Sequence, residues 1–199
     1  MNIKRLEAEY LRAKIEYYEG NEIMSDAAFD ALEKILKDAG SKVTEQIGSK
    51  RKDFDFPHPT KMLSLAKIQM EKDKYMYDKF YTWFSKKASI VGKMAFLQAS
   101  PKFDGSAINI IYRDGALENI LTRGDGKAGK NLTKRLAPKV PAKIDVEGTV
   151  EIRCEVVVDT NIFEKKYSVE FKNARNFVAG VLGKDDYSQE KVFSIHLDY

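Results

Sequence analysis

The chain has 199 residues, 43% of them hydrophobic, with 11 Phe and 10 Tyr; that excludes a disordered tail and leaves room for one ordinary domain, or a small domain with a helical appendage. A single cysteine, Cys154, excludes an internal disulfide framework and a zinc site built on paired thiols, and a reducing compartment is the expected setting. The net charge of +4 permits contact with phosphates without requiring it.

Residues 1–40 read as two helices. Leu6, Tyr10, Ala13 and Tyr17 recur at helical spacing among charges, and Gly20-Asn21 interrupts them. Ser25 then offers an N-cap, Asp26 falls in a first turn, and Phe29, Leu32, Ile35 and Leu36 form an apolar stripe that Gly40 ends. The pair is expected to make a helical hairpin. Residues 41–56 are polar and aperiodic, the pattern of a connection between modules. Pro57 and Pro59 bracket His58 and force an extended path. From residue 71 to 87, charges alternate with Tyr75, Phe80, Trp83 and Phe84, which predicts a helix packed on the main body.

Strands follow. If Lys102-Phe103-Asp104-Gly105 begins one, Lys102 and Asp104 share a face, Phe103 turns to the core, and Gly105 permits a close backbone approach or a sharp turn. Residues 107–112 are rich in β-formers, Asp114-Gly115 signals a hairpin turn, and residues 117–121 return. Residues 149–158 alternate cleanly, with Glu151, Arg153 and Glu155 on one face and Ile152, Cys154 and Val156 on the other. Residues 192–197 predict a last strand. A helical hairpin followed by a mixed body gives an α+β fold. No apolar run approaches a membrane span and the N-terminus lacks a signal-peptide core, so no membrane is expected and the setting is read as cytoplasmic.

Lys102 is the chemically interesting residue. A lysine attacks an activated phosphate only through a neutral amine. An ordinary pKa near 10.4 leaves on the order of one amine in a few thousand neutral at pH 7, so cations, a metal or desolvation must lower it. Alone, Lys102-Phe103-Asp104-Gly105 reads first as a surface lysine beside an Asp-Gly turn. Its context is more specific. Upstream lies His58-Pro59-Thr60-Lys61-Met62-Leu63-Ser64-Leu65. Downstream come Thr122-Arg123-Gly124-Asp125-Gly126-Lys127-Ala128-Gly129, then Glu151-Ile152-Arg153-Cys154-Glu155, then Phe171-Lys172-Asn173-Ala174-Arg175-Asn176 leading to Ala179-Gly180. In this order and spacing the set resembles the adenylation domain of NAD-dependent DNA ligases, from about residue 10 to the end.

The resemblance implies a fold and a reaction. Residues 1–54 would be a helical module that grips the nicotinamide mononucleotide half of NAD, and residues 55–199 the front portion of an ATP-grasp-like nucleotidyltransferase domain. Lys102 would take AMP from NAD as a phosphoramidate and pass it to the 5′-phosphate of nicked double-stranded DNA, with Mg2+ or Mn2+ assisting. Lys102, Asp104, Arg123 and Arg175 are the implied catalytic residues. Tyr17, Tyr18, Asp26 and Asp30 would hold the nicotinamide half, Ser64 and Leu65 the adenine, and Arg123, Glu155 and Arg175 the rest of the nucleotide. Ser100 stands where the family has a glutamate that reads the adenine amino group, and its uncharged hydroxyl implies weaker adenine recognition. Phe29 replaces a tyrosine, removing one hydrogen bond of about 0.5–1.5 kcal/mol, and the hairpin is one residue shorter than usual. Lys61 and Ala174 replace prolines. Cys154 replaces a glycine, which would leave the backbone less able to crowd a ligand.

The family's later D-G-x-V-x-K segment does not follow Lys191. The expected reading is therefore a truncated ligase, or the front half of a divided, phage-type enzyme of DNA replication and repair. A second ligase polypeptide would then carry the remaining motifs and an oligonucleotide-binding fold. Two alternatives stay open: a catalytically incomplete fragment that binds nucleotide or DNA, and an ATP- or GTP-using nucleotidyltransferase. The latter share the lysine motif but lack the leading hairpin.

Overall fold

A computed structural model describes residues 2–18, 21–45, 55–65, 68, 75–92, 96–184 and 188–198. It divides into two compact units, one formed by Met1–Leu63 with Phe103–Tyr199 and the other by Ser64–Lys102.

The first unit opens with helices α1 (Ile3–Tyr18) and α2 (Asp26–Asp38). Ser25 caps α2 as expected, its hydroxyl accepting the Ala28 N–H at 3.3 Å. Tyr10, Leu32 and Leu36 are buried between the helices, and Phe29 stacks on Tyr10 with ring centroids 4.8 Å apart. Ile35 lies off the stripe, 39% exposed. At 100° per residue, Phe29, Leu32 and Leu36 fall within about 60° of one another and Ile35 falls outside that arc. Part of the expected connection is ordered structure: Lys42–Glu45 make a 3-10 turn and Phe56–Pro57 a short strand, β1. Residues 46–54 lie outside the described residues.

Strands β2 (Ser106–Arg113), β3 (Ala116–Thr122), β5 (Thr149–Val158) and β6 (Ile195–Asp198) form an antiparallel sheet in the order β3-β2-β5-β6. β2 and β3 are joined by the two-residue Asp114-Gly115 turn, both residues at positive φ, as a tight hairpin demands. A second ladder pairs β1 with β4 (Ala128–Gly129). One sheet face carries Ile108, Ile110, Tyr112, Cys154, Val156 and Val158 into the main core, against Phe163 of α5 (Thr160–Lys166) and Phe177, Val178, Val181 and Leu182 of α6 (Ala174–Gly183). Each such fully buried side chain contributes about 1.5–3 kcal/mol. The expected split of β5 holds: Cys154 is in the core, opposite Arg153 and Glu155. Its thiol therefore points away from the polar face.

Two expectations need correction. No strand covers Lys102–Asp104; β2 starts at Ser106 and Phe103 is 45% exposed. The antiparallel ladder with β5 begins at Ser106↔Val156, so the residues before it lack a partner that would impose alternation. Gly105 does make a close approach, but to protein: a Cβ there would sit 1.9 Å from the Val156 carbonyl oxygen. The last strand starts at Ile195, because Gln189–Phe193 form a short helix, α7, that buries Val192. Arg175 has its place on a helix. It lies in the first turn of α6, which Asn173 caps by accepting the Asn176 N–H at 2.8 Å. The short helix α4 (Thr133–Leu136) links β4 toward β5.

Taken by itself, the second unit contains a helix, α3 (Met76–Val91), that buries none of its residues. Phe80 makes ring contacts with Trp83 and Phe84 one turn further along. Residues 71–74, where the helix was expected to start, lie outside the described residues.

Candidate active site

The glycine-rich loop Arg123–Lys127 joins β3 to β4. Asp125 accepts the amides of Lys127 and Ala128 at 2.9 and 3.0 Å, a side-chain-stabilised turn. Gly124 has φ +56°, and a Cβ there would sit 1.9 Å from the Ala128 carbonyl oxygen, so only glycine fits. Three bonds fasten the His58–Met62 segment to this loop. The His58 amide donates to the Lys127 carbonyl at 2.8 Å, the Met62 amide to Gly126 at 2.9 Å, and His58 Nε2 to the Arg123 carbonyl at 3.2 Å. His58 is 8% exposed. Burial lowers its pKa against the pull of the Arg123 carbonyl and the Glu151 carboxylate, so the ring is neutral. With Nε2 donating, Nδ1 is left to accept, and Asn109 Nδ2 lies 3.4 Å from it.

The polar face of β5 supplies the next layer. Asn109 donates to Glu151 Oε2 at 2.5 Å. Burial alone would raise the Glu151 pKa, but hydrogen bonds from Thr60 and Asn109 and the Arg153 charge outweigh it, so the pKa is lowered. Arg153 donates to the Lys61 carbonyl at 3.1 Å. Two residues on, Glu155 accepts the Gly105 amide at 3.1 Å.

The start of α6 brings in the helical pair. Arg175 pairs with Asp104 at 2.9 Å, and its guanidinium stands 5.1 Å from the centre of the Tyr17 ring. Glu22, between α1 and α2, accepts from Lys172 at 2.5 Å and from Asn176 at 3.4 Å. The amine of Lys14 on α1 has its pKa lowered by desolvation; Glu33 opposes that, and the Arg123 charge adds to it. Asp26 and Asp30 are exposed on α2, one turn apart. The Tyr18 side chain lies outside the described residues.

Apart from Tyr18, Asp26 and Asp30, the sequence-predicted residues fall into two groups. Asp104 and Arg175 meet directly with Tyr17, Glu155 holds the backbone next to Asp104, and the backbone of Arg123 is held by His58. Lys102, Ser100, Ser64 and Leu65 belong to the second unit, where all four are exposed. Sequence reasoning missed His58, Asn109 and Glu22. The signal for Asn109 was present: it is the one polar residue between Ala107 and Tyr112, inside an otherwise apolar strand. Glu22 carried no signal, since its partners lie about 150 positions away. Chemically, guanidinium groups such as those of Arg123 and Arg175 can grip phosphate oxygens, and carboxylates can accept from ribose hydroxyls. Among the described residues, no three His, Cys, Asp or Glu side chains converge as a metal cage.

Residues 51–197 match the family described as the NAD-dependent DNA ligase adenylation domain. The chain is similar to a DNA ligase of Tropheryma whipplei (strain Twist), 30% identical over 202 residues that cover 90% of this chain and 31% of that protein. It is also similar to a DNA ligase of Pelagibacter ubique, 34% identical over 207 residues, 92% of this chain and 30% of that protein. For a DNA ligase of Nitratiruptor sp. the figures are 33% over 154 residues, 72% and 23%. The chain spans about a third or less of the length of these relatives. Its motif residues, its mixed helices and antiparallel sheets, and this match over most of its length make it a member of the NAD-dependent DNA ligase adenylation domain family.

Proposed function

We propose that this chain is the lysine-bearing part of an NAD-dependent DNA ligase. The neutral amine of Lys102 attacks the α-phosphorus of NAD; the bond to the nicotinamide mononucleotide phosphate breaks, that half leaves, and AMP stays on Nζ as a phosphoramidate. The adenylate then moves to the 5′-phosphate at a nick in duplex DNA, and the neighbouring 3′-hydroxyl displaces AMP to seal the strand. Alignment and charge stabilisation do most of the catalysis in such transfers. Arg123 and Arg175 neutralise phosphate charge, and Asp104 orients Arg175. Glu155 holds the nucleotide, Ser64, Leu65 and Ser100 face the adenine, and Tyr17, Tyr18, Asp26 and Asp30 hold the nicotinamide half.

The observation that carries this reading is the Asp104–Arg175–Tyr17 contact, which joins three motifs separated by up to 158 positions in one small group. In this reading residues 1–54 act as the nicotinamide-gripping module and residues 55–199 as part of an ATP-grasp-like nucleotidyltransferase. The remaining motifs come from residues outside this sequence, in the same or a second polypeptide, and the enzyme works in the cytoplasm on nicked DNA. For the divalent cation, Mg2+ or Mn2+, no cage of three or more His, Cys, Asp or Glu side chains is preformed among the described residues.

The test is incubation with NAD labelled in its adenylate, with and without a candidate C-terminal part. Acid-labile label on Lys102, lost in Lys102→Ala, is the expected result. Label from ATP alone would assign a different nucleotidyltransferase, and no label under any condition would reduce the chain to a binding fragment.

A further inference from the structure

The polar face of β5 holds both chain segments that flank the lysine-bearing second unit. On one side, Glu151 accepts from Thr60 and Arg153 donates to the Lys61 carbonyl; three residues later the chain passes into Ser64. On the other side, Glu155 accepts from the Gly105 amide, three residues after Lys102. Alternation in a strand puts Glu151, Arg153 and Glu155 on one face, so a single rigid element fixes both points. Glu155 is already among the nucleotide residues. Glu151 and Arg153 are not, and neither is Asn109.

Asn109 shows that this arrangement is specific. It is 0% exposed, sits opposite Arg153 in the ladder, and interrupts an apolar strand. Its Oδ1 is buried without a hydrogen-bond partner, a burial that is unfavourable. A valine or isoleucine would avoid that cost. What the amide supplies instead is Nδ2, which donates to Glu151 and lies within reach of His58 Nδ1. His58 in turn holds the Arg123 carbonyl. One amide thus ties the carboxylate that anchors Thr60 to the imidazole that anchors Arg123.

We infer that Asn109 and Glu151 are positioning residues for NAD: they fix the His58–Met62 segment, which runs into the adenine-side residues Ser64 and Leu65, together with the backbone of Arg123. This rests on the ligase reading of those three residues. Neither Asn109 nor Glu151 is assigned contact with the nucleotide. Their effect passes through backbone they hold in place, so it falls on substrate affinity rather than on the attacking amine.

The experiment separates this claim from the ligase reading by measuring binding without chemistry. NAD affinity is measured by titration calorimetry in a Lys102→Ala background, alone and combined with Glu151→Gln or Asn109→Asp. Glu151→Gln loses the charge that Thr60 and Asn109 satisfy. Asn109→Asp puts a second carboxylate against Glu151. Each is expected to weaken NAD binding at least tenfold, and in the Lys102 protein to raise KM for adduct formation in parallel, with the rate at saturating NAD changed less than twofold. A merely structural lesion would instead lower the active fraction, reducing the rate and leaving KM alone. Amide exchange supplies the second readout: the Met62 and His58 amides lose protection at least tenfold while the β2–β5 ladder keeps its own. If either variant fails to fold, Arg153→Gln, at an exposed position, replaces it with an expected threefold effect. Unchanged affinity in folded variants, unchanged exchange at Met62, or no NAD binding in the background overturns the inference. Binding in that background with no adduct in the Lys102 protein, whether or not a candidate C-terminal part is added, refutes the ligase chemistry instead.

Discussion

Gly105→Ala tests how the backbone beside the lysine is held. The added methyl would lie 1.9 Å from the Val156 carbonyl oxygen and 2.9 Å from its carbon, against an ordinary contact of more than about 3 Å. The obstacle is main chain of a strand paired on both sides, so no side chain can swing away to relieve it. Either the Ser106↔Val156 end of the ladder opens or Gly105 withdraws, and both remove the bond from the Gly105 amide to Glu155. Overpacking costs about 1–3 kcal/mol, and a hydrogen bond to a carboxylate is worth about 1.5–3 kcal/mol. Because withdrawal relieves part of the clash, the two are not additive, and we expect a loss of about 2–4 kcal/mol. Gly40→Ala is the control. Gly40 has φ +70°, and a methyl added there would meet nothing within 4 Å, so only the left-handed backbone is penalised, by about 1–2 kcal/mol. Urea unfolding of both variants, followed by fluorescence and circular dichroism, gives the comparison. If Gly105→Ala costs no more than Gly40→Ala, the close-approach argument is wrong.

Three further outcomes are expected. Arg135, buried in α4, donates to the carbonyls of Val181, Leu182 and Lys184 at the end of α6; Arg135→Met leaves those acceptors without a cation and should cost about 3–5 kcal/mol in urea unfolding, whereas a loss under 1 kcal/mol would mean water replaces the guanidinium. For Arg175→Met the ordering reverses: its partner Asp104 is 72% exposed, so stability should change by less than about 1 kcal/mol while labelled adduct from NAD falls at least tenfold, and a variant that labels normally removes Arg175 from the site. The His58 pKa is lowered in the folded chain, so below about pH 6.5 the unfolded state takes up a proton that the folded state refuses. Stability from this group is therefore complete above pH 6.5 and is lost as pH falls toward the folded value, with a slope of at most about 1.4 kcal/mol per pH unit. His58→Gln should flatten that slope in pH-dependent unfolding; an unchanged slope would assign it to other groups.

Much of this was legible because it depends on local period. Tyr10, Leu32 and Leu36 mark the helix faces, Ser25 marks the start of α2, and the run from Thr149 to Val158 predicts the bounds of β5 to the residue. What escaped depends on contacts across the fold. The stretch from Lys102 to Asp104 precedes the first rung of the β2–β5 ladder at Ser106↔Val156 and takes part in no strand. Helix α6 hid for the opposite reason: Asn176 through Leu182 are all buried, so no polar stripe reveals a 3.6-residue period. The cap at Asn173 was its remaining local mark. His58, set between two prolines, follows directly on β1, yet its partners lie 51 and 65 positions away, beyond what spacing can report.

The alternation of β5 also explains one departure from the family pattern. Where the family has glycine between the arginine and the glutamate, this chain has Cys154, and the side chain is 4% exposed in the core beside Ile108 and Val156. Arg153 and Glu155 point the other way, so the added thiol fills core without narrowing the polar face. A slip of one residue in β5 would bury Glu151, Arg153 and Glu155 and expose Ile152, Cys154 and Val156. It would also release Lys61 and Gly105 together. Core packing and the bonds to Lys61 and Gly105 therefore select the same register, and a substitution that weakens one weakens the other.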